Sequence, residues 1–139
     1  MVTISVVYEG ELRCRAIHDP SGEELTTDAP VDNHGRGESF SPTDLVGVAM
    51  GTCMVTIMGI AAEKHGLDLT GTTARVEKRM VADPKRRIGA LEVVIHVPRE
   101  IAPEHRRMLE RAAMACPVHA SLRPEVEVPV RFRWGDGTD

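Results

Sequence analysis

The sequence predicts an α+β fold, with antiparallel sheets around one long central helix and the element order βββ-α-ββ-α-β. A run of eighteen uncharged residues, 45–62, is long enough for about five helical turns. Short β-rich segments come in consecutive groups separated by turn residues, which is typical of hairpins. Because strands and helices do not simply alternate, the order favours antiparallel pairing over a parallel α/β sheet. A chain of 139 residues is expected to form one domain, residues 1–139.

Three strands are predicted before the long helix, at residues 3–8, 11–17 and 24–28. An Asp-Pro-Ser-Gly turn at residues 19–22 separates the second strand from the third. Side chains alternate across a strand, so Arg13 and Arg15 share one face of the second strand and Cys14 lies on the other. Residues 29–40 are rich in turn formers and predict a loop that leads to the helix.

The long helix has sequence signals at both ends and is predicted at residues 42–65. Ser41 is a favourable N-cap residue, and Pro42 suits the first helical position. Asp44 lies three residues after the cap, where its carboxylate can complete a capping box. Gly66 suits the left-handed conformation that ends many helices.

The second half of the chain predicts two more strands, two helices and a final strand, at residues 71–82, 89–97, 103–115, 117–122 and 125–134. Alternate residues from Leu91 to Val97 are apolar and are expected to face the core. Pro117 cannot continue the preceding helix, so Cys116 lies at a break just before the short helix.

Composition and charge argue against several classes of function. The net charge is -4, and the chain has one Trp, one Tyr and two Phe. It therefore predicts neither a basic face for phosphates nor aromatic platforms for bases, and nucleic acid is not an expected partner. Three cysteines are too few for a disulfide scaffold. The N-terminus lacks the pattern of a signal peptide, so we expect a cytoplasmic location, where thiols are mostly reduced.

The uncharged run at 45–62 raises the question of a membrane span. It contains three glycines and two threonines, and we interpret it as a helix buried within protein, without a membrane partner. A helix that is apolar all round needs cover on every face. Because one small domain supplies little cover, the sequence predicts a homodimer.

The cysteines are the candidate reactive groups. Cys53 lies in the middle of the long helix, where its neighbours alone favour an unreactive, small core residue. Cys116 lies at a predicted helix N-terminus, where backbone N–H groups are expected to lower the pKa of a thiol. The six histidines are scattered, and a single Cys-x-x-His pair, Cys116 with His119, is a weak metal signal. We therefore expect no bound metal.

The helix start and the second cysteine carry a resemblance to a known family. Residues 41–53 read Ser-Pro-Thr-Asp-Leu-Val-Gly-Val-Ala-Met-Gly-Thr-Cys, and Ala-Cys-Pro-Val follows at 115–118, with Cys116 lying 63 residues after Cys53. This pattern resembles the OsmC/Ohr family of osmotically inducible and organic hydroperoxide resistance proteins. The resemblance extends over nearly the whole chain, including Thr27-Asp28-Ala29-Pro30, and is closer to the OsmC-like branch.

The resemblance implies a fold and a chemistry. The family fold is an intertwined α+β homodimer with the long helices packed between sheets. The family chemistry implies that Cys53 attacks an organic or fatty-acid hydroperoxide and becomes a sulfenic acid, which Cys116 resolves as a disulfide. An external dithiol, typically a lipoyl-type reductant, then resets the pair. The resemblance implies no bound metal, haem or flavin.

The resemblance also implies a cation for the thiolate, held by a carboxylate at the helix start. Arg13 and Arg15 are both candidates for the cation. The peroxidase branch has Glu directly after the proline, whereas this chain has Thr43 there and Asp44 one residue later. One residue rotates the position by about 100° around a helix. Asp44 is thus both a candidate catalytic carboxylate and a capping residue.

Two other classes of function remain open from the sequence. The same fold could be a non-catalytic module that binds an apolar ligand in the dimer cleft, which fatty acids would stabilise without any reaction with peroxide. A thiol acyl- or sulfur-transfer enzyme that uses Cys116 with His119 is the third hypothesis. It predicts that His119→Ala changes the reactivity of the thiol.

Overall fold

The computed structural model describes residues 1–136 and has the predicted α+β architecture, with two three-stranded sheets. The chain forms two compact units, of which the first is Met1–Val46 and the second begins at Gly47. Helix α1 (Pro42–Glu63) begins in the first unit and continues into the second. Each unit is built around its own sheet.

The first unit is an antiparallel sheet followed by a loop. Its strands are β1 (Ile4–Gly10), β2 (Arg13–His18) and β3 (Glu23–Asp28), in the order β1-β2-β3. The short turn between β2 and β3 sets a register in which Arg13 lies opposite Asp28. The loop after β3 contains a 3-10 helix at Val31–Asn33 and returns to the sheet through a bridge between Thr27 and Phe40. The loop is therefore held against β3 at the point where α1 begins.

The second unit is a sheet with helices packed on its inner face. Its further elements are β4 (Thr73–Val81), β5 (Arg87–Val97), α2 (Pro103–Met114), α3 (Pro117–Ser121) and β6 (Val130–Trp134). Strand β5 is central and pairs antiparallel with β4. On β5, Leu91, Val93, Ile95 and Val97 are at most 1% exposed. This confirms the predicted inward alternation and places the core between β5 and the helices.

The last strand differs from its prediction in both length and direction. It begins at Val130 rather than at residue 125, and it runs parallel to β5. Pro129 has no N–H and cannot donate to a sheet, which delays the start of the regular strand. The preceding residues still accept hydrogen bonds from β5, from Leu91 N to Glu127 O at 2.8 Å and from Val93 N to Pro129 O at 2.9 Å.

Helix α1 ends at Glu63, two residues before the predicted end. Gly66 has a φ of 65°, in the left-handed region. The N–H of Leu67 donates to the carbonyl of Ala62 at 3.0 Å, which closes the last turn. His65 lies in this closing turn, and its ring Nδ1 lies 3.1 Å from the carbonyl oxygen of Ala61.

One side of α1 packs closely inside the second unit. Its buried residues are Gly47, Met50, Gly51, Met54, Met58 and Ala62. A Cβ atom at Gly51 would lie 3.1 Å from Val76 Cγ2, so the absence of a side chain lets α1 approach β4. The other side carries an uncharged exposed stripe of Val48, Thr52, Thr56 and Ile60. By length and composition α1 could cross a membrane, and 33% of its most apolar window is buried in the chain.

Helix α2 contacts β6 through the single tryptophan of the chain. Trp134 Nε1 donates a hydrogen bond to Glu110 Oε1 at 3.2 Å. The guanidinium carbon of Arg106 lies 5.7 Å from the centre of the indole ring, in a cation–π arrangement. Phe132 stacks beside the indole at 6.4 Å between ring centres. These contacts fix α2 against the edge strand, and Cys116 follows directly after α2.

Candidate functional site

The second unit brings two thiols together. Cys53 is half-buried in the middle of α1, and Cys116 is 1% exposed at the N-cap of α3. The two side chains are close enough for the Cys53 thiol to affect the pKa of Cys116, although 63 residues separate them in the sequence. The fold therefore makes the two thiols neighbours.

The pKa of Cys116 differs from the sequence-based expectation. Burial raises the pKa of this thiol, and the neighbouring Cys53 thiol raises it further. The backbone N–H of His119 donates to Cys116 Sγ at 3.4 Å and opposes the increase only in part. The expectation of a lowered pKa is thus wrong, because the loss of hydration outweighs the helix N-terminus. At neutral pH Cys116 is a protonated thiol.

The helices that carry the thiols have strongly apolar inner faces. Met50, Met54 and Met58 on α1 are fully buried, as are Leu109 and Ala113 on α2. Burial in such surroundings disfavours a charged thiolate unless a cation compensates. The candidate arginines are both in the first unit, where their environments differ.

Arg13 is held by two carboxylates. Its Nε and one terminal nitrogen donate to the two oxygens of Asp28 at 2.7 and 2.8 Å. The same terminal nitrogen donates to Glu38 at 3.2 Å. Asp28 is 1% exposed, and the Arg13 guanidinium holds the pKa of its carboxyl below the usual range, with help from backbone N–H groups of Glu38 and Ser39. The guanidinium is therefore fixed in place and permanently charged.

Arg15 lies on the same strand but in exposed ion pairs. It contacts Glu24 at 3.0 Å and Glu9 at 3.5 Å, and its side chain is 38% exposed. Ion pairs of this type are weak and easily exchanged for water. Cys14 lies between the two arginines in sequence and is half-buried, opposite Tyr8 and Thr27 in the sheet.

The start of α1 is a reciprocal cap. The backbone N–H of Ser41 donates to Asp44 Oδ2 at 2.8 Å, and the backbone N–H of Asp44 donates to Ser41 Oγ at 3.1 Å. The hydroxyl of Thr43 lies 3.2 Å from that of Ser41. This is the capping box that the sequence predicted as one of two functions for Asp44.

Two residues near Arg13 were missed by the sequence interpretation. Asp28 and Glu38 hold the guanidinium, whereas the carboxylate was sought at the helix start. Within residues 1–136 no group of three or more His, Cys, Asp or Glu side chains is arranged to hold a metal ion. His119 contacts Cys116 through its backbone N–H.

Comparisons with known proteins agree with the fold. A family model described as OsmC-like protein matches residues 35–131. A crystal structure from Psychrobacter arcticus, assigned only provisionally to osmotic stress induction and detoxification, is 43% identical, covers 96% of each chain and has a TM-score of 0.91. No functionally curated protein matches the chain.

Two more distant structures share the fold. The organic hydroperoxide resistance protein OsmC of Legionella pneumophila is 16% identical, covers 96% of each chain and has a TM-score of 0.77. OhrB of Bacillus subtilis is 14% identical, with 96% of this chain and 98% of that chain covered and a TM-score of 0.69. Together with the family model and the Psychrobacter structure, they confirm the resemblance found in the sequence: the chain belongs to the OsmC-like family.

Proposed function

We propose that this protein reduces organic hydroperoxides, with Cys53 as the attacking thiolate and Cys116 as the resolving thiol. The proximity of the two thiols supports the proposal, because a resolving thiol must reach the sulfur that has been oxidised. The substrate class is supported by the relatives from Legionella and Bacillus, which are described as organic hydroperoxide resistance proteins.

The reaction has two chemical steps on the protein. The Cys53 thiolate attacks one peroxide oxygen and breaks the O–O bond, forming a sulfenic acid, and the alkoxide leaves and takes a proton to become an alcohol. Cys116 then attacks the sulfenic sulfur, which gives the disulfide and releases the hydroxyl group with the thiol proton as water. An external dithiol of the lipoyl type exchanges with this disulfide, restores both thiols and is itself oxidised. No bound metal or organic cofactor takes part in these steps.

The different environments of the thiols support this division of roles. Cys53 is half-buried and open to a substrate, while Cys116 is almost completely buried. Because burial raises the pKa of Cys116, this thiol stays protonated and unreactive until a sulfenic acid forms beside it. The uncharged sequence of α1 around Cys53 favours alkyl and fatty-acid hydroperoxides over hydrogen peroxide.

Of the two candidate arginines, Arg13 is better suited than Arg15 to stabilise a thiolate. Asp28 and Glu38 hold Arg13 in one orientation, whereas Arg15 lies in exposed pairs. In this proposal Asp28 and Glu38 take the part that the family gives to a glutamate after the proline, where this chain has Thr43. Asp44 then serves the reaction indirectly, by capping the helix that carries Cys53.

The proposed active form is a homodimer in the cytoplasm, where thiols are kept reduced. On one face of β1, Ile4, Val6 and Tyr8 are 63–64% exposed, and Ile60 on the uncharged stripe of α1 is 50% exposed. A second copy of the chain would bury such apolar surface. We expect sedimentation equilibrium to give a dimer at micromolar concentration, and Ile60→Glu to shift it towards monomer. A monomeric wild-type protein would contradict this assignment.

The function is tested by counting thiols after one turnover. Reduced protein is treated with one equivalent of cumene hydroperoxide, denatured and titrated with a chromogenic disulfide. We expect two of the three thiols of each chain to disappear, with Cys14 still free and a Cys53–Cys116 link in the peptide map. Retention of all three thiols would reject the proposal. If fatty acids also raised the melting temperature, that result would favour the ligand-binding module.

A further inference from the structure

We propose that His65 and His105 form a binding site for one divalent transition metal ion, separate from the thiol chemistry. His65 lies in the turn that closes α1, and His105 lies in the first turn of α2. Their ring centres are 5.6 Å apart, with the ring planes inclined by 59°. Forty residues separate them in the chain, so no short motif reveals the pair.

The ring of His65 makes a contact that is typical of metal-binding histidines. Its Nδ1 lies 3.1 Å from the carbonyl oxygen of Ala61. A carbonyl can only accept, so this contact is a hydrogen bond when Nδ1 carries the proton, which leaves the lone pair on Nε2. Histidines that bind metals usually donate their other ring N–H to a carbonyl or carboxylate in this way, which fixes the tautomer and the ring.

The spacing of the two rings fits a shared ion. With metal–nitrogen bonds of about 2.0–2.1 Å, two imidazoles on one tetrahedral ion have ring centres roughly 5–5.5 Å apart. The observed 5.6 Å lies close to this range. Because His65 is exposed and His105 is half-buried, water can fill the remaining positions.

The donor set selects the class of ion. Imidazole nitrogen suits Zn²⁺, Cu²⁺ and Ni²⁺, whereas Mg²⁺ and Ca²⁺ prefer oxygen ligands. An ion held by both rings would join the end of α1 to the start of α2, which are the helices that carry Cys53 and precede Cys116. Binding to the folded state alone raises the melting temperature in proportion to the logarithm of the ion concentration above its dissociation constant.

The site is tested by titrating the untagged, reduced full chain with Ni²⁺ in a calorimeter. We expect one ion per chain at this site, and at least a tenfold loss of affinity in both His65→Gln and His105→Gln. His34→Gln in the exposed loop is the matched control and should bind as the wild type does. All four proteins keep the three thiols, so any binding to sulfur is the same in each.

The melting temperature supplies a second measurement. Without metal, the two glutamine variants should melt close to the wild type, and only the wild type and His34→Gln should gain stability from Ni²⁺. Unchanged affinity in either glutamine variant would overturn the two-histidine site. Neither result depends on whether the thiols react with hydroperoxide.

Discussion

Cys53→Ser is expected to lower the rate of hydroperoxide consumption by roughly 10³-fold or more, since it removes the nucleophile while keeping a side chain of similar size. A serine hydroxyl is not ionised at neutral pH and cannot attack the O–O bond at a useful rate. The measurement is the loss of cumene hydroperoxide with an excess of a small dithiol. A variant that consumes peroxide as fast as the wild type would remove Cys53 from the reaction.

Cys116→Ser is the informative partner of this variant. The first oxidation should persist, because Cys53 still reacts, but the disulfide with Cys116 cannot form. We expect a sulfenic acid at Cys53 that dimedone traps as a stable adduct, visible by mass spectrometry. Steady turnover should fall while the single-turnover rate stays within about threefold of the wild type. An equal loss in both phases would contradict the assignment of Cys116 as the resolving thiol.

The same assay distinguishes the roles of Arg13 and Arg15. If Arg13 supplies the charge that stabilises the thiolate, Arg13→Met should slow the first oxidation by roughly 10²-fold, a typical effect of removing one electrostatic stabiliser. Arg15→Met removes a neighbouring guanidinium from the same face of β2 and should leave the rate nearly unchanged. The reverse order would transfer the role to Arg15.

Asp28→Asn is expected to lower the melting temperature at pH 7 by about 5 °C or more, because it removes the buried carboxylate and leaves the half-buried Arg13 guanidinium without that partner. Asp28 is 1% exposed and binds Arg13 through both carboxylate oxygens. Asparagine keeps the volume but removes the charge and presents an N–H₂ group to the guanidinium. Calorimetry at pH 7 measures the change.

The pH dependence gives this prediction a distinct signature. Arg13 lowers the pKa of Asp28 in the folded chain, so the stabilisation is fully present above the unfolded pKa of about 3.9 and is lost as the pH falls through the folded value. The difference between wild type and Asp28→Asn should therefore be constant from about pH 7 to 5 and shrink in stronger acid.

Arg15→Met is the control for the loss of an ion pair. It removes exposed contacts to Glu9 and Glu24 and should change the free energy of unfolding by less than about 1 kcal/mol. If Asp28→Asn were equally mild, the pair of Arg13 and Asp28 would be only a surface contact in solution.

Local signals in the sequence were sufficient for most of the elements. Ser41, Pro42 and Asp44 placed the start of α1 correctly, because a cap depends on residues within one turn. The alternation from Leu91 to Val97 placed β5 in the core, because apolar side chains at every second position are typical of a strand with one buried face.

The register of β2 and β3 makes the carboxylate partner of Arg13 predictable from the sequence. The turn that follows His18 pairs this residue with Glu23, and that register sets Arg13 opposite Asp28. Register follows from turn length, so a cross-strand search would have identified the carboxylate. The family pattern instead points to the helix start, where Asp44 lies.

Long-range contacts were beyond a local interpretation. No pattern in residues 98–129 shows that β6 returns parallel to β5, because the direction depends on how the intervening helices pack. The proximity of Cys53 and Cys116 also depends on packing between distant segments, and only the family resemblance suggested it. The pKa of Cys116 was predicted in the wrong direction because its burial depends on packing by distant residues.

The fluorescence of Trp134 is expected to report the redox state of this protein. It is the single indole of the chain, and its ring is held by Glu110 and Arg106 of α2. Since Cys116 follows α2 directly, a new bond at this sulfur that shifts the helix changes the surroundings of the fluorophore. The intrinsic fluorescence of Trp134 is therefore expected to follow oxidation and reduction in the native protein without an added label.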